Sequence, residues 1–199
     1  MVGSVLLPID PIQTDEALTI NLLKMLESEE FSDIKFEVQG KIISGHRNIF
    51  AARSTYFKNI LCNLDPKDSM PVKIENITFD VFKALMFYLY SGTIDSNCSG
   101  ETVCDLIRAG QVYNLLGWNG LDQVGVTFIK TIMCRENVIG ILVNATKKEP
   151  YLDRVERQCF KFFAKNFNEI LTHPEFKNLD RNILVKITQF YGKFFQKQA

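Results

Sequence analysis

The chain has 199 residues, 46% hydrophobic, 23% charged and 12% aromatic, which excludes a disordered or collagen-like polymer and is enough to bury one large core or two small ones. Lys plus Arg equals Asp plus Glu at 23 each, so no overall excess of positive charge marks a nucleic-acid binder, and no apolar run reaches the roughly 18 to 20 residues that cross a bilayer. The charge is nevertheless uneven: residues 1–130 carry 11 basic and 16 acidic side chains and residues 131–199 carry 12 and 7, a net −5 before a net +5, which points to two lobes.

Residues 1–13, with Pro8 and Pro11, read as an arm in which Val5, Leu6 and Leu7 suit a short strand. The next segment is a helix: Thr14 is its expected cap, Asp15 and Glu16 suit the positive end of its dipole, and Leu18, Leu22, Met25 and Leu26 share one face. The period then falls to two. Ile34, Phe36 and Val38 alternate with Lys35 and Glu37, Gln39-Gly40 makes a turn, and residues 41–44 return as the second arm of a hairpin. Short helices over 46–52 and 55–62 follow, the second capped by Ser54, and a third strand begins near Met70.

Thr78 caps a stronger helix with Phe79, Phe82, Met86 and Leu89 in register, and Gly92 stands where a left-handed terminal residue is wanted. Helices over 100–113 and 121–134 come next. The last third is helical as well, in stripes from Val138 to Ala145, from Leu152 to Phe163 and from Ile183 to Phe194, the last opened by Asp180. Eight of the sixteen phenylalanines lie in the final forty residues, more than an exposed terminal helix needs, so something must cover it.

Five cysteines without a C-x-x-C pair, and two distant histidines, make a poor metal kit and read as reduced thiols. The acceptor-like triplets at Asn76, Asn97 and Asn144 read as chance in a soluble, intracellular chain. No phosphate-binding loop, nucleophile elbow or metalloprotease motif is present, so the reading is of a protein that is not an enzyme and needs no cofactor or metal.

The order of elements and four sequence motifs resemble the BTB/POZ family. Residues 31–38, Phe-Ser-Asp-Ile-Lys-Phe-Glu-Val, resemble its opening F-x-D-V strand, and Gly45-His46-Arg47 resembles its A-H-R turn. Residues 51–57, Ala-Ala-Arg-Ser-Thr-Tyr-Phe, resemble A-A-x-S-x-Y-F, and residues 87–92 resemble F-x-Y-T-G. Residues 136–142 and 166–179 are similar to the BACK helices that follow BTB in many cullin adaptors. The resemblance implies an α+β fold: an N-terminal arm (1–13), a BTB/POZ domain (14–134) with a small three-stranded sheet flanked by helices, and a partial all-α BACK-like segment (135–199). No kelch, zinc-finger or ankyrin pattern appears in the sequence.

The resemblance also carries functional expectations. The N-terminal helix implies a homodimer, with Leu18, Leu22, Met25, Leu26, Asp33 and Arg47 at the interface, the last two as an interdependent buried charged pair. His46 is expected to be packed, bonded to backbone and orienting the hairpin; His173 reads as a loop residue. Cullin-3 adaptors commonly carry a hydrophobic-x-Glu motif in the helix after Thr78, where this chain has Phe82, Lys83 and Ala84 and no glutamate, so Phe82 and Tyr90 would have to carry docking. The implied function is a cytoplasmic or nuclear adaptor linking a cullin-3 RING ubiquitin ligase to a target protein, without direct contact to nucleic acid or membrane. The competing reading is a homodimeric scaffold in transcriptional or cytoskeletal complexes, with the same apolar residues serving as core.

Overall fold

A computed structural model describes residues 11–65, 70–116, 118–147 and 149–196. The expected strand at residues 5–7 lies outside them. Helix α1 (Pro11–Ser28) already runs through Thr14, which is therefore inside the helix and not its expected cap. The chain forms two compact units, Met1–Asp95 and Ser96–Ala199, so the helices over 100–132 belong to the second.

The first unit is built on a hairpin. Strand β1 (Ile34–Val38) runs antiparallel to β2 (Lys41–Gly45) with Phe36 opposite Ile43. Gln39 and Gly40 between them have φ of +51° and +74°, and two left-handed residues make the tight turn whose twist matches the strands it joins. Helix α2 (Arg47–Arg53) starts one residue later than expected, because His46 is extended and takes the N-cap position. Ser54 ends α2 and caps α3 (Thr55–Cys62), its Oγ accepting the Phe57 N–H at 3.1 Å. The chain then returns as β3 (Val72–Ile74), parallel to β1 with Val72 opposite Phe36, giving the order β2-β1-β3.

Helix α4 (Phe79–Ser91) covers this sheet. Thr78 caps it, and Gly92 closes it at φ +72°, a conformation that disfavours any residue with a Cβ. Phe36 sits at the centre of the core, its ring centroid 4.6 Å from Phe50, 5.3 Å from Phe82 and 5.8 Å from Phe57. Space beside it is tight: a Cβ on Gly45 would lie 2.8 Å from the Phe50 ring. Helix α1 lies against α4.

The second unit is helical among its described residues. Helix α5 (Gly100–Val112) is capped by Ser99 and packs on α6 (Trp118–Ile132) and α7 (Val138–Lys147). Helix α6 ends two residues before Cys134, the expected terminus, for a visible reason. Asn137 accepts the Cys134 N–H at 2.8 Å and donates to the Ile132 carbonyl at 2.8 Å, which diverts both groups from a continuing helix. Arg108, buried on α5, donates to the side-chain oxygen and the carbonyl of Asn144, each at 2.7 Å, to the Pro150 carbonyl at 3.1 Å and to Asp105 at 3.1 Å. Asn144 therefore serves as a joint between α5 and α7.

Helix α8 (Asp153–Lys165) is strongly amphipathic, with Val155, Cys159, Phe160, Phe163 and Ala164 buried. A short helix α9 (Phe167–Leu171) and a 3-10 turn (Phe176–Asn178), neither expected as a separate element, lead to α10 (Arg181–Gln196). Asp180 opens α10 as expected, accepting the Asn182 N–H at 2.8 Å. What covers the terminal helix is α8: Ile183 and Ile187 are buried and Phe190 packs 5.6 Å from Phe160, while Tyr191 stacks 4.4 Å from Phe167.

Replacing Phe36 by Ala removes the ring that three others contact, and should cost about 3–5 kcal/mol, read as a fall in the denaturant midpoint at unchanged slope.

Candidate functional site

The residues with candidate roles in the first unit lie on α1, in the loop that follows it, and on α4. On α1 the apolar stripe is covered only in part by its own chain. Leu22, Met25 and Leu26 are half-buried, Leu18 is 58% exposed, and Ile20 beside them is also exposed. An apolar stripe this open normally has further surface to meet.

The loop from Glu29 to Asp33 has an unusual backbone. Glu29 and Phe31 both adopt positive φ, +55° and +60°, and for a bulky aromatic residue that conformation is a real outlier. It is held from several sides. The Ser32 N–H donates to the Glu29 carbonyl and the Asp33 N–H to the Gly45 carbonyl, both at 3.1 Å. The Phe31 side chain is left 91% exposed, flanked by the exposed carboxylates of Glu29, Glu30 and Asp33. By its motif Phe31 belongs with the strand that follows, yet the structure places it at the surface. The signal was available: every immediate neighbour is polar, so Phe31 belongs to no apolar stripe.

The loop is pinned by a buried joint. His46 lies 2.7 Å from the Tyr90 hydroxyl through Nδ1 and 2.8 Å from the Glu30 carbonyl through Nε2, and its backbone N–H donates to the same hydroxyl at 3.0 Å. A carbonyl can only accept, so Nε2 carries the proton; the hydroxyl then accepts from the His46 amide and donates to Nδ1, and every polar atom is satisfied. Burial pushes the Tyr90 phenol up to about 12, the His46 amide pulling it back and the Asp33 carboxylate adding to the rise. His46 is thus packed and bonded to backbone, the role expected of it.

Asp33 and Arg47 meet, but through backbone. Asp33 Oδ1 accepts the Arg47 N–H at 2.7 Å, which supplies the N-terminal cap that the His46 side chain does not give α2. The Arg47 guanidinium donates instead to the Leu61 carbonyl at 2.6 Å, binding α2 to the end of α3. Asp33 is exposed and Arg47 half-buried in the single chain.

The α4 positions proposed for cullin docking divide sharply. Phe82 is 0%, Tyr90 3% and Ala84 6% exposed, and Lys83 alone of the four faces solvent. Phe82 belongs to the Phe36 cluster and Tyr90 to the His46 joint. In the single chain both aromatics are packed inside the first unit, and Lys83 is the member of the set that a partner meets without rearrangement of the core. Among the described residues no group of His, Cys, Asp and Glu side chains is arranged to hold a metal, and no helix is long and apolar enough to cross a membrane.

A family model described as the BTB/POZ domain matches residues 22–118. BTB/POZ domain-containing protein 9 of Drosophila melanogaster is 24% identical over 180 residues, covering 89% of this chain and 24% of its own length. TD and POZ domain-containing protein 3 of Mus musculus is 28% identical over 165 residues, covering 81% of this chain and 43% of its own length. The solved BTB domain of human gigaxonin is 23% identical, with a TM-score of 0.48 over 64% of this chain and 99% of that chain. This chain thus spans between about a quarter and under half the length of these two curated relatives.

Two substitutions check the joint and the cap. Tyr90→Phe strands the His46 amide and Nδ1, and should cost about 1–3 kcal/mol in a denaturant melt. The Tyr90 phenol titrates higher folded than unfolded, so its contribution is complete below pH 10 and is lost as pH rises toward 12; the variant should lack that part of the alkaline loss. Asp33→Ala should cost about 1 kcal/mol and Asp33→Asn clearly less, since an amide oxygen caps a helix nearly as well.

Proposed function

Because residues 22–118 are a BTB/POZ domain, we propose that the protein is a homodimeric interaction adaptor, joined to a second copy of itself through α1 and offering its remaining surface to other proteins. BTB/POZ domains are protein–protein interaction modules, and such an adaptor supplies position rather than chemistry. The observation that carries the dimer is the half-open stripe Leu18, Leu22, Met25 and Leu26, continued in sequence by the outward Phe31. A two-fold interface is self-complementary, and an apolar helix face with an aromatic anchor at its end is the surface such a contact uses. Asp33 and Arg47 then stand at its edge, where Asp33 keeps one carboxylate oxygen beyond the one spent on α2.

The finer reading is a cullin-3 adaptor that brings a target protein to a ubiquitin ligase. It is supported by the helical segment that follows the BTB/POZ domain. The burial of Phe82, Ala84 and Tyr90 favours the second reading, a homodimeric scaffold in transcriptional or cytoskeletal complexes with no ubiquitin role. Calorimetric titration with the cullin-3 N-terminal domain separates them. A cullin adaptor gives measurable heat that Lys83→Asp weakens, because Lys83 is the exposed member of the α4 set; a scaffold gives none with either chain.

The dimer has its own test. Leu22→Glu with Leu26→Glu should halve the mass found by light scattering at micromolar concentration while helical content is retained. Phe31→Ser should raise the dimer dissociation constant by about tenfold or more, the effect of losing an aromatic anchor worth about 2 kcal/mol. A natural chain that is monomeric at these concentrations rules out the dimer.

A further inference from the structure

The second unit carries a charge pattern that neither its packing nor its ion pairs use. Most cations with a carboxylate nearby are paired: Arg154 with Asp122, Lys186 with Glu156 at 2.7 Å, and Arg135 with Glu136 and Glu169 at 3.7 and 3.5 Å. Arg157, Lys161 and Lys165 on α8 have no ion pair or hydrogen bond among the described residues, and all three are exposed. Spaced four apart, they form a row inclined to the helix axis, turning about 40° at each step across the face opposite the buried Cys159 and Phe163. Like charges at this spacing repel one another, and only Lys165, in the last turn, is well placed to be favoured by the helix dipole. The acids on α8 are confined to its first turn, where Glu156 is engaged by Lys186 and Asp153 forms no ion pair among the described residues.

We propose that this row is a docking surface for an extended acidic segment of a partner protein. The occupant follows from charge and from length. Four residues of helix advance about 6 Å, and two residues of extended chain advance about 6.6 Å. Three carboxylates at alternate positions of an extended peptide therefore span about 13 Å against about 12 Å for the row, and each meets one cation. A helical partner offers the same spacing only if it lies parallel to α8 with acids every fourth residue, and it brings far more bulk against a narrow row. Three cations in a chain of zero net charge are a small footprint for nucleic acid, whose backbone would continue past both ends of the row.

The probe is a fluorescein-labelled nine-residue peptide alternating Ser and Glu, titrated with the full chain and followed by anisotropy. The expected result is saturable binding at 20 mM salt that weakens by about tenfold or more at 300 mM, where charges at this separation are largely screened. The same peptide with Gln for Glu should not bind. Arg157→Gln/Lys161→Gln/Lys165→Gln should reduce affinity at least tenfold, and should keep its fold by circular dichroism because these side chains are exposed and make no ion pair or hydrogen bond among the described residues. Arg154→Gln, outside the row, should leave binding within twofold. The proposal is overturned if the triple variant binds as well as the natural chain, if the Gln peptide binds equally, or if a labelled nine-nucleotide oligothymidylate binds more tightly than the peptide. Should the triple variant unfold, Lys161→Gln alone decides, with a threefold loss supporting the row and no change overturning it.

Discussion

The Tyr90 hydroxyl is the point on which the first unit turns. It is buried, it accepts the His46 amide, and it donates to the His46 ring, whose other nitrogen holds the Glu30 carbonyl. One side chain of α4 thereby fixes both the exit of the hairpin and the loop before it. Buried polar joints are worth having only when complete, because an orphaned donor costs more than a satisfied one contributes. With Glu30 held, the positive φ at Glu29 and Phe31 is sustained by its surroundings, Phe31 points to solvent, and Asp33 arrives where the first amide of α2 needs a cap. The same joint that shapes the outer surface removes Tyr90 from it.

That withdrawal shows how a small core limits what a surface can present. Helix α4 has thirteen residues, and Val81, Phe82, Ala84, Leu85, Met86, Tyr88, Leu89 and Tyr90 are all buried. A helix enclosed on so many sides has little left to offer a partner, and the interaction burden moves to elements covered on one side only. Helix α1, with Leu18 and Ile20 exposed, and helix α8, with Arg157, Lys161 and Lys165 exposed, are each covered on one side only. Strain at Phe31 fits this division: a left-handed aromatic residue costs about 1–3 kcal/mol and persists only where its surroundings over-determine it. An enclosed aromatic such as Phe82 needs no such strain.

Most of the secondary structure could be read from the sequence because its signals are local. Alternation at Ile34, Phe36 and Val38, the caps at Ser54, Thr78 and Asp180, and the stop at Gly92 each depend on a few neighbours and appear as expected. Errors came where a distant or downstream residue decides. Asn137 ends α6 from five residues beyond its last turn, which periodicity in the helix itself does not show. Asp33 caps α2 from fourteen residues upstream, so the pair with Arg47 was read as charge against charge when it is carboxylate against amide. Phe82 and Tyr90 could be placed on a helix face from spacing, but whether that face is covered depends on the sheet and on His46. Phe31 is the opposite case: it stands at the head of a strand motif, but its immediate neighbours Glu30 and Ser32 are polar and nothing local buries it.

An adaptor of the kind proposed would gain more from valency than from any single contact. A row of three exposed cations binds weakly, because each ion pair at a surface contributes about 0–1 kcal/mol. Dimerisation through α1 would give every assembly two such rows. A partner with two acidic segments would then meet the second row at an effective concentration near millimolar if its linker spans the gap, raising avidity by a hundredfold or more without a new contact. Weak sites of this kind gain function only when doubled. On that reasoning the apolar stripe of α1 and the charged crest of α8, on different compact units of one chain, would act together if both proposals hold: one would set the copy number and the other would be multiplied by it.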